Sequence, residues 1–452
     1  MSWRSAFLCI GVPAMLLAQG CGGAGSSGSS PFLPPGQAKQ GKYFTHIVVI
    51  IQENRTFDNL FATFPGADGA TFGMERDGKK VRLRPSNLES PTSPDNSYGN
   101  WLCAWNNGKM DGFNTRPGNT RCAPSNLYVY QYVKPAQVRP YWSMAQQYVL
   151  NDHMFPTQGS GSFTGHQDLI RGDTAINSTY QLIDFPSGGA GQPWGCDSTP
   201  GSTTSLITVD NQWRQYRSAG PFPCLTYETV RDTLDAADIS WRYYAPAVGQ
   251  SFGGDLWNAF DAIKAVRYGS EWTSNVVSPE TKVFTDIGRD TLPSLSYVIP
   301  DFQNSDHPGD SSDTGPSWVA DVVNHIGESD AWSSTAIVVV WDDWGGWFDH
   351  MTPPGAHRYG GVGFRVPAIV ISPYAKTGYV SHNTYQFGSI LRFIEDNWHL
   401  PRLGTTDSTS PSFVNDFFDF SQKPRPFKPI GSKYSSQFFL QQRPSNKPVD
   451  TE

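Results

Sequence analysis

The sequence predicts an α/β fold: one doubly wound, mostly parallel sheet with helices on both faces and long loop insertions. Three observations lead there. Mostly apolar runs recur at Ile47–Ile51, Leu295–Ile299, Ala336–Trp341 and Val366–Ile371. Runs of this length read as strands buried on both faces, the condition of a parallel sheet covered by helices. Stretches with helical spacing stand between them, so strand and helix alternate along the chain. Finally, three of the runs break abruptly into acids, amides and histidines, and open α/β sheets bind ligands just outside such strand ends.

The first twenty residues read as a signal peptide, with Arg4 as its positive end and Ala6–Ala18 as its apolar stretch. That stretch is too short to span a membrane. Leu17-Ala18-Gln19-Gly20-Cys21 resembles the lipobox of bacterial lipoproteins, which implies a lipidated Cys21, with ordinary secretion as the alternative. Residues 21–40 hold the Gly/Ser-rich stretch Gly22–Ser30, a flexible tether. The expected product is an exported, monomeric protein, periplasmic or outer-surface, lipid-anchored to a bacterial membrane. One domain is expected over 41–420, and residues 421–452, rich in Lys, Pro, Gln and Ser, read as a tail. Cys103, Cys122, Cys196 and Cys224 form an even set suited to an oxidising compartment. Of three possible pairings, Cys103–Cys122 and Cys196–Cys224 each close one Gly/Pro/Asn-rich loop and are favoured. The net charge of −7 lacks the basic footprint of a nucleic-acid binder.

The opening strand justifies itself most clearly. Ile47–Ile51 are five β-branched residues, followed by Gln52-Glu53-Asn54-Arg55. Phe57, Leu60, Phe61 and Phe64 then fall on one stripe of a helix, capped by Thr56 or Asn54 and ended by Pro65-Gly66. Residues 140–150 have helical spacing. Asn151–Ile170 reads as a small-residue loop leading into a short helix. Leu225–Ala237 is a helix and Ile239–Ala245 a strand. Leu295–Pro300 runs into Asp301–His307, and Ala336–Trp341 into Asp342-Asp343-Trp-Gly-Gly-Trp-Phe-Asp349-His350. Phe387–Trp398 is a helix.

Glu53, Asn54, Asp342 and Asp343 are hard oxygen donors, which suit Mg²⁺, Ca²⁺ or Mn²⁺. Adjacent carboxylates at one strand end repel unless a cation or proton lies between them. A single Asp-Asp pair is more often a helix cap, so the weight rests on several strand ends agreeing. Ser160, Ser162 and Thr164 are hydroxyl candidates for a nucleophile, and composition does not rank them. His153, His166, His307 and His350 are candidate acids or phosphate ligands. His307 and His350 stand out because each follows an acid-bearing strand end. His325, His357 and His399 read as background.

These residues resemble the bacterial phosphoesterase family of phospholipases C and acid phosphatases, within the alkaline-phosphatase-like superfamily. The resemblance is carried by Glu53-Asn-Arg-Thr-Phe-Asp58, by Trp341-Asp-Asp-x-Gly-Gly-x-Phe-Asp-His350, by Ser305-Asp-His-Pro308 and by Gly363-Phe-Arg-Val-Pro367. It runs from about Phe44 to about Leu400. It implies a phosphoester substrate, with phospholipid one candidate, and one divalent metal ion held by Glu53, Asn54, Asp342 and Asp343. It also implies Ser162 as the nucleophile and His307 and His350 as acids beside the phosphate, with Asn54 and His166 among the phosphate contacts. Gly161 and Thr164 replace the family's usual prolines, and Gly165-His166 replaces residues that are often Asn or Arg. A glycan- or headgroup-binding surface lipoprotein without catalysis is the alternative from another class. A sulfatase is disfavoured, because Ser162 lacks the Pro/Ala and Arg of the formylglycine motif.

Overall fold

The computed structural model describes residues 37–118, 122–187, 193–209, 215–248, 257–309, 312–355 and 363–443. Cys21, the signal and nearly all of the tether lie outside them, as does His357. The elements that position the site are, in chain order, β1 (His46–Gln52), α1 (Phe57–Phe61), β2 (Phe72–Met74), β3 (Lys80–Arg82), α2 (Arg139–Gln147), β4 (Val149–Phe155), α3 (Ser162–Arg171), β5 (Trp241–Tyr244), β6 (Val276–Val277), β7 (Leu295–Val298), α4 (Gly315–Gly327), β8 (Thr335–Trp341), β9 (Val366–Ile371), β10 (Tyr379–Ser381), β11 (Tyr385–Gln386) and α5 (Phe387–Trp398).

Nine strands form one mixed sheet in the order β6-β5-β7-β1-β8-β9-β4-β10, with β11 beside β4. β1 lies between β7 and β8 and is parallel to both, with Ile50 opposite Val298 and Val339. The three strands that end in polar residues are therefore neighbours with their carboxyl ends on one edge. β9 runs antiparallel to β8 and to β4, which makes the sheet mostly rather than wholly parallel. Ile47–Ile51 are fully buried, as the unbroken apolar run requires.

Local chemistry sets the element ends. The Thr56 hydroxyl accepts the Asn59 N–H at 3.1 Å and starts α1. This helix is shorter than its apolar stripe suggested, but Phe64 is still buried beyond its end. The helix expected over Leu225–Ala237 starts at Val230, where Thr229 and Asp232 form a capping box.

The loop expected from Asn151 is instead the strand β4. Its polar residues hid it: Asn151 is held by the Ser381 and Asn383 carbonyls, and Asp152 by the Asp68 N–H and His382. Residues 421–443 also pack on the body, where Ile430 and Phe439 are buried and the Trp332 indole donates to the Arg425 carbonyl. Cys103–Cys122 and Cys196–Cys224 are disulfide-bonded, the pairing expected from loop composition. No helix among the described residues is long and apolar enough to cross a membrane.

Candidate active site

The site forms where β1 and β8 end and α3 begins. Asn54 takes a left-handed backbone, φ 56°, a conformation asparagine tolerates better than most side chains. Its N–H donates to Asp342 Oδ1 at 3.0 Å, while the Asp342 N–H donates to the Gln52 carbonyl at 3.0 Å. The two strand ends are thereby locked together. Gly345 is required here: a Cβ would lie 2.0 Å from the Asn54 carbonyl oxygen. Gly165 plays the same part for α3, since a Cβ there would lie 2.6 Å from the Asp342 carbonyl oxygen. The helix can rest on the strand end only because that side chain is missing.

Ser162 is the first residue of α3. Its Oγ lies 3.0 Å from Asn54 Oδ1 and 3.0 Å from Asp343 Oδ2, so one hydroxyl proton faces two acceptors. Asp343 is held from behind: the Asn96 amide donates to both its oxygens at 3.1 and 3.2 Å, and the Gly345 N–H donates at 2.6 Å. The neighbouring hydroxyls point elsewhere. Ser160 donates to Asp184 and accepts the Asp184 N–H, and Thr164 donates to the Gly161 carbonyl at 3.0 Å. Asn96 was not legible in the sequence, because it lies in a polar, turn-rich stretch with no periodic signal.

Four residues after Ser162, and so on the same helix face, His166 is fully buried. Its Nε2 is 2.8 Å from Glu53 Oε1 and 3.9 Å from Asp342 Oδ2. Burial pushes this imidazole down to about 4, so it is neutral at physiological pH. His166, expected beside the phosphate, lies against the carboxylates of Glu53 and Asp342.

Glu53, Asp342 and Asp343 are 0–1% exposed. Burial first, and then the Asp342 charge, push both Glu53 and Asp343 well above the usual carboxylate range. Among the described residues no lysine or arginine ion-pairs with any of the three. Glu53 Oε2, Asp342 Oδ2 and Asn54 Nδ2 have no hydrogen-bond partner among the described residues. Ligand atoms of Glu53, His166 and Asp342 lie within 4.8 Å of one another. Three buried acids, open carboxylate oxygens and no protein cation fit a divalent metal ion.

The other two expected histidines lie apart from the Ser162 hydroxyl's hydrogen bonds. His307 packs against Trp257 and Phe302, ring centroids 5.7 and 5.1 Å away, and its Nδ1 meets the Pro308 carbonyl at 2.5 Å. His350 belongs to a second cluster. Its Nδ1 is 2.7 Å from Asp58 and its Nε2 3.3 Å from Asp68. The buried guanidinium of Arg365 spans Asp349, at 2.9 Å, and Asp58, at 3.4 Å. Burial alone would lower His350, but the hydrogen bond to Asp58 and the charges of Asp58 and Asp349 prevail and push it up to about 9. Asp349 and Arg365 stood in the quoted motifs; that they meet each other could not be read from them.

Fold and site define a doubly wound α/β protein with a serine, an asparagine and three acids gathered at the carboxyl ends of adjacent strands. The chain belongs to the Phosphoesterase family, whose model matches residues 44–401. Over 409 residues it is 25% identical to a non-hemolytic phospholipase C of Pseudomonas aeruginosa, covering 78% of this chain and 54% of that protein. It is 24% identical over 444 residues to phospholipase C B of Mycobacterium tuberculosis, covering 85% and 79%. The chain thus spans about half the length of the Pseudomonas relative. Among solved structures it is similar to an alkaline phosphatase superfamily protein from Vibrio parahaemolyticus, with TM-score 0.38 and 10% identity over 83% of this chain and 72% of that one.

Proposed function

We propose that this protein is an exported, metal-dependent phosphoric-ester hydrolase that works through a phosphoseryl intermediate. The substrate we assign is a phospholipid cleaved between its glycerol and phosphate, as the names of its relatives suggest. The observation that carries the reading is the Ser162 hydroxyl, set between Asn54 and Asp343 at 3.0 Å from each, beside buried carboxylates that no lysine or arginine among the described residues balances. Export and lipidation at Cys21 are supported by the signal-like first twenty residues, and export also by the paired cysteines.

Glu53, Asn54, Asp342 and Asp343 would hold the cation. When bound, it would lower the pKa of a nearby hydroxyl and neutralise phosphoryl oxygens. The chain's own residues do the rest. Asp343, fixed by Asn96, accepts the Ser162 proton. Ser162 Oγ bonds to phosphorus as the bond from phosphorus to the leaving oxygen breaks. The leaving oxygen takes a proton from His350, which carries one at neutral pH. The free N–H groups at the start of α3 and the Asn54 amide stabilise the phosphoryl oxygens. Water then attacks the phosphoserine and gives its proton to His350, while the Ser162 oxygen leaves phosphorus and takes back the proton held by Asp343, releasing phosphate or the phosphorylated headgroup.

The test is turnover of phosphatidylcholine, a chromogenic phosphodiester and a phosphomonoester, each with and without chelator. Wild-type protein should cleave the diesters and lose that activity on chelation. Ser162→Ala should lower turnover by about a thousandfold or more, since covalent catalysis is removed. Normal activity in Ser162→Ala would overturn the covalent route, and preference for the monoester would reassign the substrate.

A further inference from the structure

β2 and β3 form a two-stranded ribbon whose solvent face sets large apolar side chains beside cations. The register pairs Phe72 with Arg82 and Met74 with Lys80, and all four side chains face outward. Phe72 is 43% and Met74 41% exposed, although both are large apolar residues. The Lys80 ammonium lies 4.3 Å from the centre of the Phe72 ring. Residues 72–84 carry five cations against two acids, net +3, in a chain of net charge −7. Of these cations Lys79 pairs with Glu75 and Arg76 bonds Asn106. Lys80, Arg82 and Arg84 are exposed and form no ion pair among the described residues. They line a cleft of about 470 Å³ beside the ribbon, together with Tyr130 and Tyr132.

The ribbon's back is fixed to the site. A Cβ at Gly73 would lie 2.6 Å from the Phe348 ring, two residues before His350 in the loop that starts with Asp342. We infer that this ribbon docks the protein on an anionic lipid bilayer, Lys80, Arg82 and Arg84 meeting headgroup phosphates while Phe72 and Met74 enter the boundary below them. The charge complements an anionic membrane surface. The exposed apolar pair distinguishes that partner from a purely polar polyanion, which would reward cations but not Phe or Met.

The inference does not need the catalytic reading, and the test separates them. The probe is vesicle co-sedimentation with phosphatidylcholine alone and with added phosphatidylglycerol, using full-length protein carrying Cys21→Ser so that no acyl chain contributes. Wild-type ribbon should bind the anionic vesicles, and more weakly at high salt. Lys80→Glu/Arg82→Glu and, separately, Phe72→Ser/Met74→Ser should each lower the partition by roughly tenfold. Both should leave hydrolysis of a soluble chromogenic phosphodiester unchanged, which also reports an intact fold. Unchanged vesicle binding in both variants would overturn the inference. So would binding that needs the cations but not Phe72 and Met74 and is matched by heparin, which would mark a polyanion surface instead. A protein without phosphodiesterase activity that still binds through the ribbon would refute the catalytic reading alone.

Discussion

Two groups of buried carboxylates lie along the same polar edge of the sheet, and they solve the same electrostatic problem differently. Asp58 and Asp349 are bridged by the guanidinium of Arg365 and capped by a protonated His350, so the chain provides their cations. Glu53, Asp342 and Asp343 are just as buried, yet among the described residues the only basic side chain paired with them is the neutral His166. Both groups bring three acid or histidine donors within 4.8 Å of one another. Proximity alone therefore does not distinguish a metal site from a structural one. The location of the balancing charge does. A cluster complete in cations has its charge balanced from within; a cluster lacking them is the better candidate to receive one.

The sharpest way to break that contrast is to remove the internal cation. Arg365→Met should destabilise the protein by about 3–5 kcal/mol, since it leaves Asp349 buried without its guanidinium partner and Asp58 with His350 alone. It also removes hydrogen bonds to the Asp68 and Asp152 carbonyls. Urea unfolding would measure this. Added divalent cation should raise the midpoint of Arg365→Met by the same increment as wild type, because the ion goes to the other cluster. If cation restores the lost stability selectively, Asp58 and Asp349 are the metal site and the contrast is wrong.

The second test uses pH. His350 is raised in the folded state to about 9, above the usual 6.5. Its contribution to stability is therefore fully present below about pH 6.5 and lost as pH rises through about 9. The size is on the order of 3 kcal/mol at most. His350→Gln should cost most near pH 6 and little at pH 9.5. A cost that stays constant across this range would show that His350 is held by packing and not by its charge.

These clusters also show what sequence can carry. β1, β7 and β8 were legible because burial on both faces demands uninterrupted apolar residues, and their polar ends were legible by contrast. Glu53 and Asp342 followed from that. β4 was not legible: Asn151, Asp152 and His153 break its apolar run, and their partners come from residues 68 and 381–383. His350 lies in the loop that follows β8, but its partner Asp58 lies 292 residues away, on the first turn of α1. A motif names residues; it does not say which of two neighbouring clusters each one joins.

The smallest expected effect concerns Asn96, and it bears on the cluster that lacks a protein cation. Asn96 is fully buried and gives its amide hydrogens to both oxygens of Asp343, the carboxylate that faces Ser162. A hydrogen bond to a charged group contributes about 1.5–3 kcal/mol, part of which fixes orientation. Asn96→Ala should therefore lower kcat on a soluble phosphodiester by roughly tenfold to a hundredfold and change KM little, because in the proposed mechanism Asp343 accepts the Ser162 proton and does not hold the substrate. Asn96→Asp should lose more than Asn96→Ala: it puts a fourth carboxylate into a group already short of positive charge, and like charges at this burial repel strongly. Added cation should recover part of the Asn96→Asp loss and none of the Asn96→Ala loss, since only the first is a charge defect. Equal losses in the two variants, insensitive to cation, would mean that Asn96 matters for packing alone and that the charge imbalance at Ser162 is already met from within the chain.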